Sequence, residues 1–180
     1  MIAAQQKRKE NIVEYILYIY QIEDLIRAFQ FNISNIKIQL VSQYQVDDKI
    51  RDEILDWYKN MVIMMEKEGI REKGHLQFLM NQINELNEFH LKLMETEINK
   101  EYVGVFQSIS GLITELNQKN KYVKNDLQIS LDAIYGFLLL KIQKKEITDD
   151  TTEAFKRLSS WLSLLSKLYK DFESEVLEFD

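Results

Sequence analysis

Three charged side chains, Glu23, Asp24 and Arg27, stand inside the apolar stretch YILYIYQIEDLIRAFQ, which runs from Tyr15 to Gln30. On a helical wheel Glu23 falls among isoleucines, on the side that a helix turns toward a protein core. Burial of an unpaired carboxylate is costly, so Glu23 is expected to be paired, hydrogen-bonded or protonated. Glu23 and Arg27 have the i, i+4 spacing with the acid on the N-terminal side, which favours an ion pair.

These three residues leave open three interpretations of the stretch. The first is a structural ion pair between Glu23 and Arg27, joined by tyrosine hydroxyls. The second is a polar pocket inside the helical domain, where Glu23 or Asp24 meets a ligand. The third is a metal site. The first interpretation is favoured because the i, i+4 spacing gives Glu23 a local partner of opposite charge.

The chain has two histidines, His75 and His90, as its only imidazole ligands or bases. Glu72 and His75 have the Glu-x-x-His spacing that carboxylate-bridged di-iron proteins use on each of two helices. Gly74 interrupts that motif, and Asn87 stands where a second motif would need glutamate. On one helix the two histidines would lie ~22 Å apart, too far to share a metal ion. We therefore predict no metal and no cofactor.

His90 has two interpretations, because it falls within an apolar helical stripe. The stripe consists of Leu76, Leu79, Ile83, Leu86, Leu93 and Met94. A histidine on such a face is expected to be a core residue bonded to a neighbour. The alternative places it in a pocket or an interface, where it could join Glu23, Asp24 and Arg27.

Composition excludes several classes of protein. The chain has 180 residues, 46% of them hydrophobic, which is enough for one domain with a sizeable core. The absence of cysteine excludes disulfides and thiol nucleophiles and fits a reducing compartment. A net charge of −6 argues against a nucleic-acid partner, whose phosphates need Lys and Arg. No signal peptide is predicted, because the basic cluster near the start is followed by Glu10 and Glu14 and no small-residue cleavage site closes an apolar core. No membrane-spanning segment is predicted either, because the longest uncharged part of the opening stretch runs only from Tyr15 to Ile22.

Hydrophobic periodicity and the absence of proline predict an all-α fold. We expect a single domain over residues 1–180, a mostly antiparallel helical bundle of about six or seven helices. The first helix is apolar in most directions and is therefore expected to lie at the centre. The alternation of Ile36, Ile38 and Leu40 in the second segment could also form a strand. The predicted helices run from about Ala3 to Phe29, from Ile33 to Tyr44 after a cap at Asn32 or Ser34, from a cap at Asp47 to Glu68, from His75 to Glu95, from Tyr102 to Asn117, from Val123 to Lys145, and onward from a cap at Thr148.

Three segments resemble a bacterial family known as Domain of Unknown Function 4924: AQQKRKENIVEYILYIYQIEDLIRA, WYKNMVIMMEKEGIREKGHLQ and AIYGFLLLKIQKKEIT. The resemblance covers nearly the whole chain. It implies a small, helical, cytoplasmic bacterial protein and supplies no activity, cofactor or catalytic residue. It places Glu23, Asp24, Arg27 and the loop residues Glu72, Gly74 and His75 inside the matching segments.

Three functional hypotheses follow, and whether the protein is an enzyme stays open. The first is a non-enzymatic protein-interaction or scaffold role, with a homodimer or another protein as partner, because the chain is rich in aromatic residues. The second is a small-molecule-binding bundle or an enzyme with Glu23, Asp24, Arg27 and His90 around a polar pocket. The third is a carboxylate-rich metal enzyme that uses Glu72 and His75.

Overall fold

Eight α-helices and one 3₁₀ turn make up the regular structure in the computed structural model, which describes residues 2–122 and 124–179. No strand occurs in these residues, so the prediction of an all-α fold is confirmed. The short 3₁₀ turn spans Val41–Gln43. The helices are α1 (Ile2–Glu10), α2 (Ile12–Ala28), α3 (Ile33–Gln39), α4 (Asp48–Lys67), α5 (Gln77–Thr96), α6 (Lys100–Gln118), α7 (Asp126–Ile142) and α8 (Asp149–Glu173).

The helix count exceeds the predicted six or seven because the first predicted helix is two helices. Asn11 separates them, with an extended backbone at φ −155° and ψ 105°. Its Oδ1 accepts a hydrogen bond from the backbone N–H of Glu14 at 3.0 Å, which satisfies a free donor in the first turn of α2. Asn11 Oδ1 also accepts from the Ser166 hydroxyl at 2.7 Å, so the start of α2 is tied to α8.

Most other helix boundaries follow the predicted signals. The side chains of Asn32, Asp47 and Thr148 each accept a backbone N–H three residues later, and they begin α3, α4 and α8. The stretch with alternating isoleucines is the helix α3, not a strand. Gly69 follows α4 at φ +69°, a conformation that glycine reaches at low cost. The predicted start of the sixth helix, Val123, lies outside the described residues.

The central position predicted for the first helix is confirmed for α2. Eight of its residues are buried, Glu23 among them, and it contacts α1, α4, α5, α7 and α8. Buried apolar side chains of α2, α4, α5, α7 and α8 belong to one contiguous cluster. A charged side chain on the inner face of α2 must therefore find its partners inside the protein.

The helices of residues 2–122 and 124–179 differ in length and apolar character. None of the helices there combines the length and the apolar character that a bilayer crossing needs.

Candidate functional site

The Glu23 carboxylate is fully buried, with 0% of its surface exposed, and both of its oxygens accept hydrogen bonds. Oε1 accepts the backbone N–H of Leu76 at 2.9 Å, and Oε2 lies 2.6 Å from Nδ1 of His75. An ionised carboxylate only accepts hydrogen bonds, so with Glu23 ionised the Nδ1 of His75 is the donor in this contact. The predicted ion pair between Glu23 and Arg27 is wrong, because the segment before α5 supplies the partners of Glu23.

Arg27 instead pairs with its other acidic neighbour, Asp24, at 2.9 Å between Nη1 and Oδ1. Its guanidinium also donates to the backbone carbonyls of Gly74 and, at 3.3 Å, Ile70. The Tyr135 hydroxyl of α7 donates to the second oxygen of Asp24 at 2.8 Å. Burial raises the pKa of Tyr135, and the adjacent Asp24 raises it further, so this hydroxyl stays protonated.

Tyr20 joins these contacts into one unit. Its ring stacks on His75 with centroids 3.7 Å apart and meets Tyr135 edge to face at 5.5 Å. Its hydroxyl donates to Asp132 at 3.2 Å, and the Lys124 ammonium pairs with the other oxygen of Asp132. We call Tyr20, Glu23, Asp24, Arg27, His75 and Tyr135 the polar clamp. The polar clamp holds the link between α4 and α5 against α2 and α7.

Gly74 gives the clearest test of the predicted loop motif. It has φ +96°, a left-handed conformation that side-chain-bearing residues adopt at a cost, and its carbonyl accepts from Arg27. We expect Gly74→Ala to lower the free energy of unfolding by about 1–2 kcal/mol, measured by urea denaturation.

The matched control is Gly111→Ala, because Gly111 lies inside α6 with open space around an added Cβ. Alanine at such a helix position is expected to stabilise the protein by about 0.5–1 kcal/mol. Equal effects at Gly74 and Gly111 would show that the backbone at Gly74 is not strained.

His90 is buried in another part of the core. Its Nδ1 lies 2.6 Å from the Tyr102 hydroxyl of α6, and its Nε2 lies 3.8 Å from Asp126 of α7. Its ring contacts Phe106 and Trp161 with centroids 4.5 Å and 5.3 Å away. None of these residues belongs to the polar clamp. The structure thus brings Glu23, Asp24 and Arg27 together and places His90 elsewhere, as a core histidine bonded to a neighbour.

The structure also separates the three residues of the predicted loop motif, Glu72, Gly74 and His75. Gly74 and His75 take part in the contacts described above, whereas Glu72 is exposed and forms no hydrogen bond with His75. Within the described parts of the chain, no group of three or more His, Asp or Glu side chains is arranged to hold a metal ion.

A groove of about 560 Å³ lies between α1, α2, α4 and α5, and we call it the α1 groove. Tyr15 and Ile19 from α2, Trp57, Met61 and Met64 from α4, and Phe78 from α5 form its apolar walls. Ala4, Gln5, Arg8 and Lys9 from α1 form the remaining wall, which carries all the charge of the lining. The sequence predicted the α4 residues as core, and the groove itself was not predicted.

α1 keeps its place beside the groove through Arg8. The Arg8 guanidinium donates twice to the Glu173 carboxylate of α8, at 2.9 Å and 2.7 Å, and Nε donates to Gln82 of α5 at 3.2 Å. The hydrogen bonds with Glu173 raise the pKa of Arg8. Because these contacts fix the helix that carries the polar wall, the groove is part of the folded structure.

The polar clamp and the α1 groove are neighbours along the chain. Tyr15, Ile19 and Glu23 follow one another at four-residue spacing on α2, so they share one face of that helix. Phe78 stands two residues after Leu76, whose N–H is bound by Glu23. The clamp therefore fixes the start of α5, from which Phe78 forms part of the groove wall.

Comparison with known proteins gives one informative result. The model of a family described as Domain of unknown function (DUF4924) matches residues 1–176. No curated protein and no solved structure matches the chain.

Proposed function

The chain belongs to the family Domain of unknown function (DUF4924), as its three segments indicated, and we propose that it is a binding protein whose α1 groove holds one small apolar molecule. The observation that carries this proposal is the groove itself. Its volume of about 560 Å³ lies inside the range of roughly 300–1,000 Å³ that small-molecule sites occupy. Two methionines among its walls can adjust to ligands of different shape.

The lining of the groove favours binding over chemical conversion. Among the described residues that form its walls there is no carboxylate, imidazole or aliphatic hydroxyl. Those groups are the usual general bases and nucleophiles of enzymes. The proposal is therefore non-enzymatic and differs from the predicted polar pocket around Glu23, Asp24, Arg27 and His90.

A neutral fluorescent probe, N-phenyl-1-naphthylamine, tests the proposal directly. We expect saturable binding of one probe per chain, with energy transfer from Trp57, which lines the groove. Met64→Glu should weaken this binding at least about tenfold, because a carboxylate at that position must lose water when the probe enters.

The control for this substitution is Ile63→Glu on the same helix. Ile63 is 46% exposed and does not line the groove, so the probe affinity should stay unchanged. Far-UV circular dichroism checks that both variants are folded, and Phe78→Ser serves as a second groove variant. Probe binding that is absent from the unmodified protein, or equally weakened by both glutamates, would contradict the proposal.

A protein-interaction or scaffold role is the second candidate, and exposed apolar side chains are the residues that test it. Ile38 on α3 and Leu140 and Ile142 at the end of α7 are large side chains left in solvent. Such residues are common singly, whereas a contiguous set marks an interface. Analytical ultracentrifugation of the full chain tests the homodimer. A dimer that is weakened by Ile142→Ser would support it, and a monomer at every concentration would exclude it.

Four further properties remain predictions from the sequence. They are the single-domain organisation, the antiparallel arrangement of the helices in a bundle, the cytoplasmic bacterial location and the lack of a nucleic-acid partner. The proposed ligand binding depends on none of them.

A further inference from the structure

The charge on the wall of the α1 groove has one sign. Arg8 and Lys9 both line the groove, and no acidic side chain does so among the described lining residues. The whole chain carries a net charge of −6, so a cationic wall is a local departure from the protein's overall charge. A cavity lined by one sign of charge concentrates ligands of the opposite sign.

The two cations of this wall are not equivalent. Arg8 already donates to both oxygens of Glu173, so most of its charge is balanced within the protein. Lys9 is exposed and forms no ion pair with any described residue. Lys9 therefore has hydrogen-bond donors to offer an incoming anion.

Two uncharged polar groups of the groove lining can also donate. Gln5 lies four residues before Lys9, so the two side chains are neighbours on the surface of α1. Burial raises the pKa of the Tyr15 hydroxyl, although the nearby Arg8 lowers it, so this phenol stays protonated and can donate. The donors on α1 and the Tyr15 hydroxyl, together with the apolar side chains of α4 in the same lining, match a molecule with an acidic head and a hydrocarbon tail.

We infer that the ligand of the α1 groove is a monomeric amphiphilic anion, with a carboxylate head and an aliphatic chain. The carboxylate lies at the α1 wall, where the Lys9 ammonium and the Gln5 amide donate to it. The chain lies against Trp57, Met61 and Met64 of α4, from which it displaces water. This inference rests on the proposed binding function and adds the chemical class of the ligand.

Three amphiphiles with the same ten-carbon chain and different head groups show how much the head group contributes to the affinity. Decanoate, 1-decanol and decyltrimethylammonium are titrated as competitors against bound N-phenyl-1-naphthylamine, each below its micelle-forming concentration or its solubility limit. We expect decanoate to compete at concentrations at least about tenfold lower than either of the others, because only its head group carries a negative charge that pairs with the Lys9 ammonium.

Lys9→Glu tests the head-group contact in the same assay. It should weaken decanoate binding by about tenfold or more and leave 1-decanol binding unchanged. The matched control is Lys7→Glu, two residues away on α1. Lys7 pairs with Glu14 at 3.3 Å and does not line the groove, so this variant should keep the affinity for decanoate.

The outcomes distinguish this inference from the proposed function. If the probe binds and the three amphiphiles compete equally, the groove is a binding site but the acidic head group is wrong. Equal loss of decanoate affinity in Lys9→Glu and Lys7→Glu would also overturn the inference, because it would reflect overall charge. The inference would likewise be overturned if the protein binds vesicles of anionic phospholipid and monomeric decanoate does not displace the probe. Absence of probe binding would remove the proposed function itself.

Discussion

Glu23→Ala is expected to lower the free energy of unfolding by about 3 kcal/mol, the largest loss predicted for any charged residue here. The substitution removes the acceptor of the buried Leu76 N–H and of His75 Nδ1. An unsatisfied buried donor costs about 1–3 kcal/mol, and the space left by the side chain adds a cavity cost. His75 keeps 23% of its side chain exposed and can turn to water, which limits the loss.

Two comparison variants separate the buried contacts of Glu23 from its charge. Glu23→Gln keeps the volume and an acceptor for Leu76, so a smaller loss of about 1–2 kcal/mol is expected. Glu72→Ala removes an exposed carboxylate from the link that the polar clamp holds and should leave stability almost unchanged. Urea denaturation followed by circular dichroism measures all three. A Glu23→Ala loss no larger than that of Glu72→Ala would show that the clamp contributes nothing to stability.

The helical boundaries were largely predictable because their signals are local. Asp47 and Thr148 are standard N-caps, and both begin helices as predicted. The break at Asn11 was missed because helical periodicity continues on both sides of it. The signal was nevertheless present, since Asn11 and Glu14 have the spacing of a capping box.

The partners of Glu23 could not be predicted in the same way. The i, i+4 rule names Arg27 as the local partner, but it does not weigh residues far away in sequence. His75 lies 52 residues from Glu23, and folding brings it and the Leu76 N–H to the carboxylate. Arg27 then pairs with Asp24, which is also local but three residues away.

The α1 groove is further still from anything a sequence pattern can show. Its walls come from four helices, and its polar wall depends on the break that separates α1 from α2. The stripe that contains Trp57, Met61 and Met64 looks the same whether a core or a groove faces it. Only the position of α1, tied to α8 through Arg8 and Glu173, decides between the two.

Tyr20→Ala is the second large effect, with an expected loss of about 3–5 kcal/mol in the free energy of unfolding. The ring is fully buried between His75 and Tyr135, so its removal opens a cavity at the centre of the polar clamp. Tyr20→Phe keeps the ring and removes only the hydrogen bond with Asp132, which is expected to cost about 1 kcal/mol.

The difference in stability between Tyr20→Ala and Tyr20→Phe separates the contribution of the packed ring from that of the hydrogen bond with Asp132. Tyr122→Ala is the matched control, because Tyr122 is 70% exposed and its removal should leave stability almost unchanged. If Tyr20→Phe costs as much as Tyr20→Ala, the clamp depends on the hydrogen bond with Asp132, and the stacking on His75 contributes little. If Tyr20→Ala costs several times more, the packed ring holds His75 against α2. Since Phe78 follows three residues after His75, Tyr20→Ala should then also weaken probe binding in the α1 groove, and Tyr20→Phe should not.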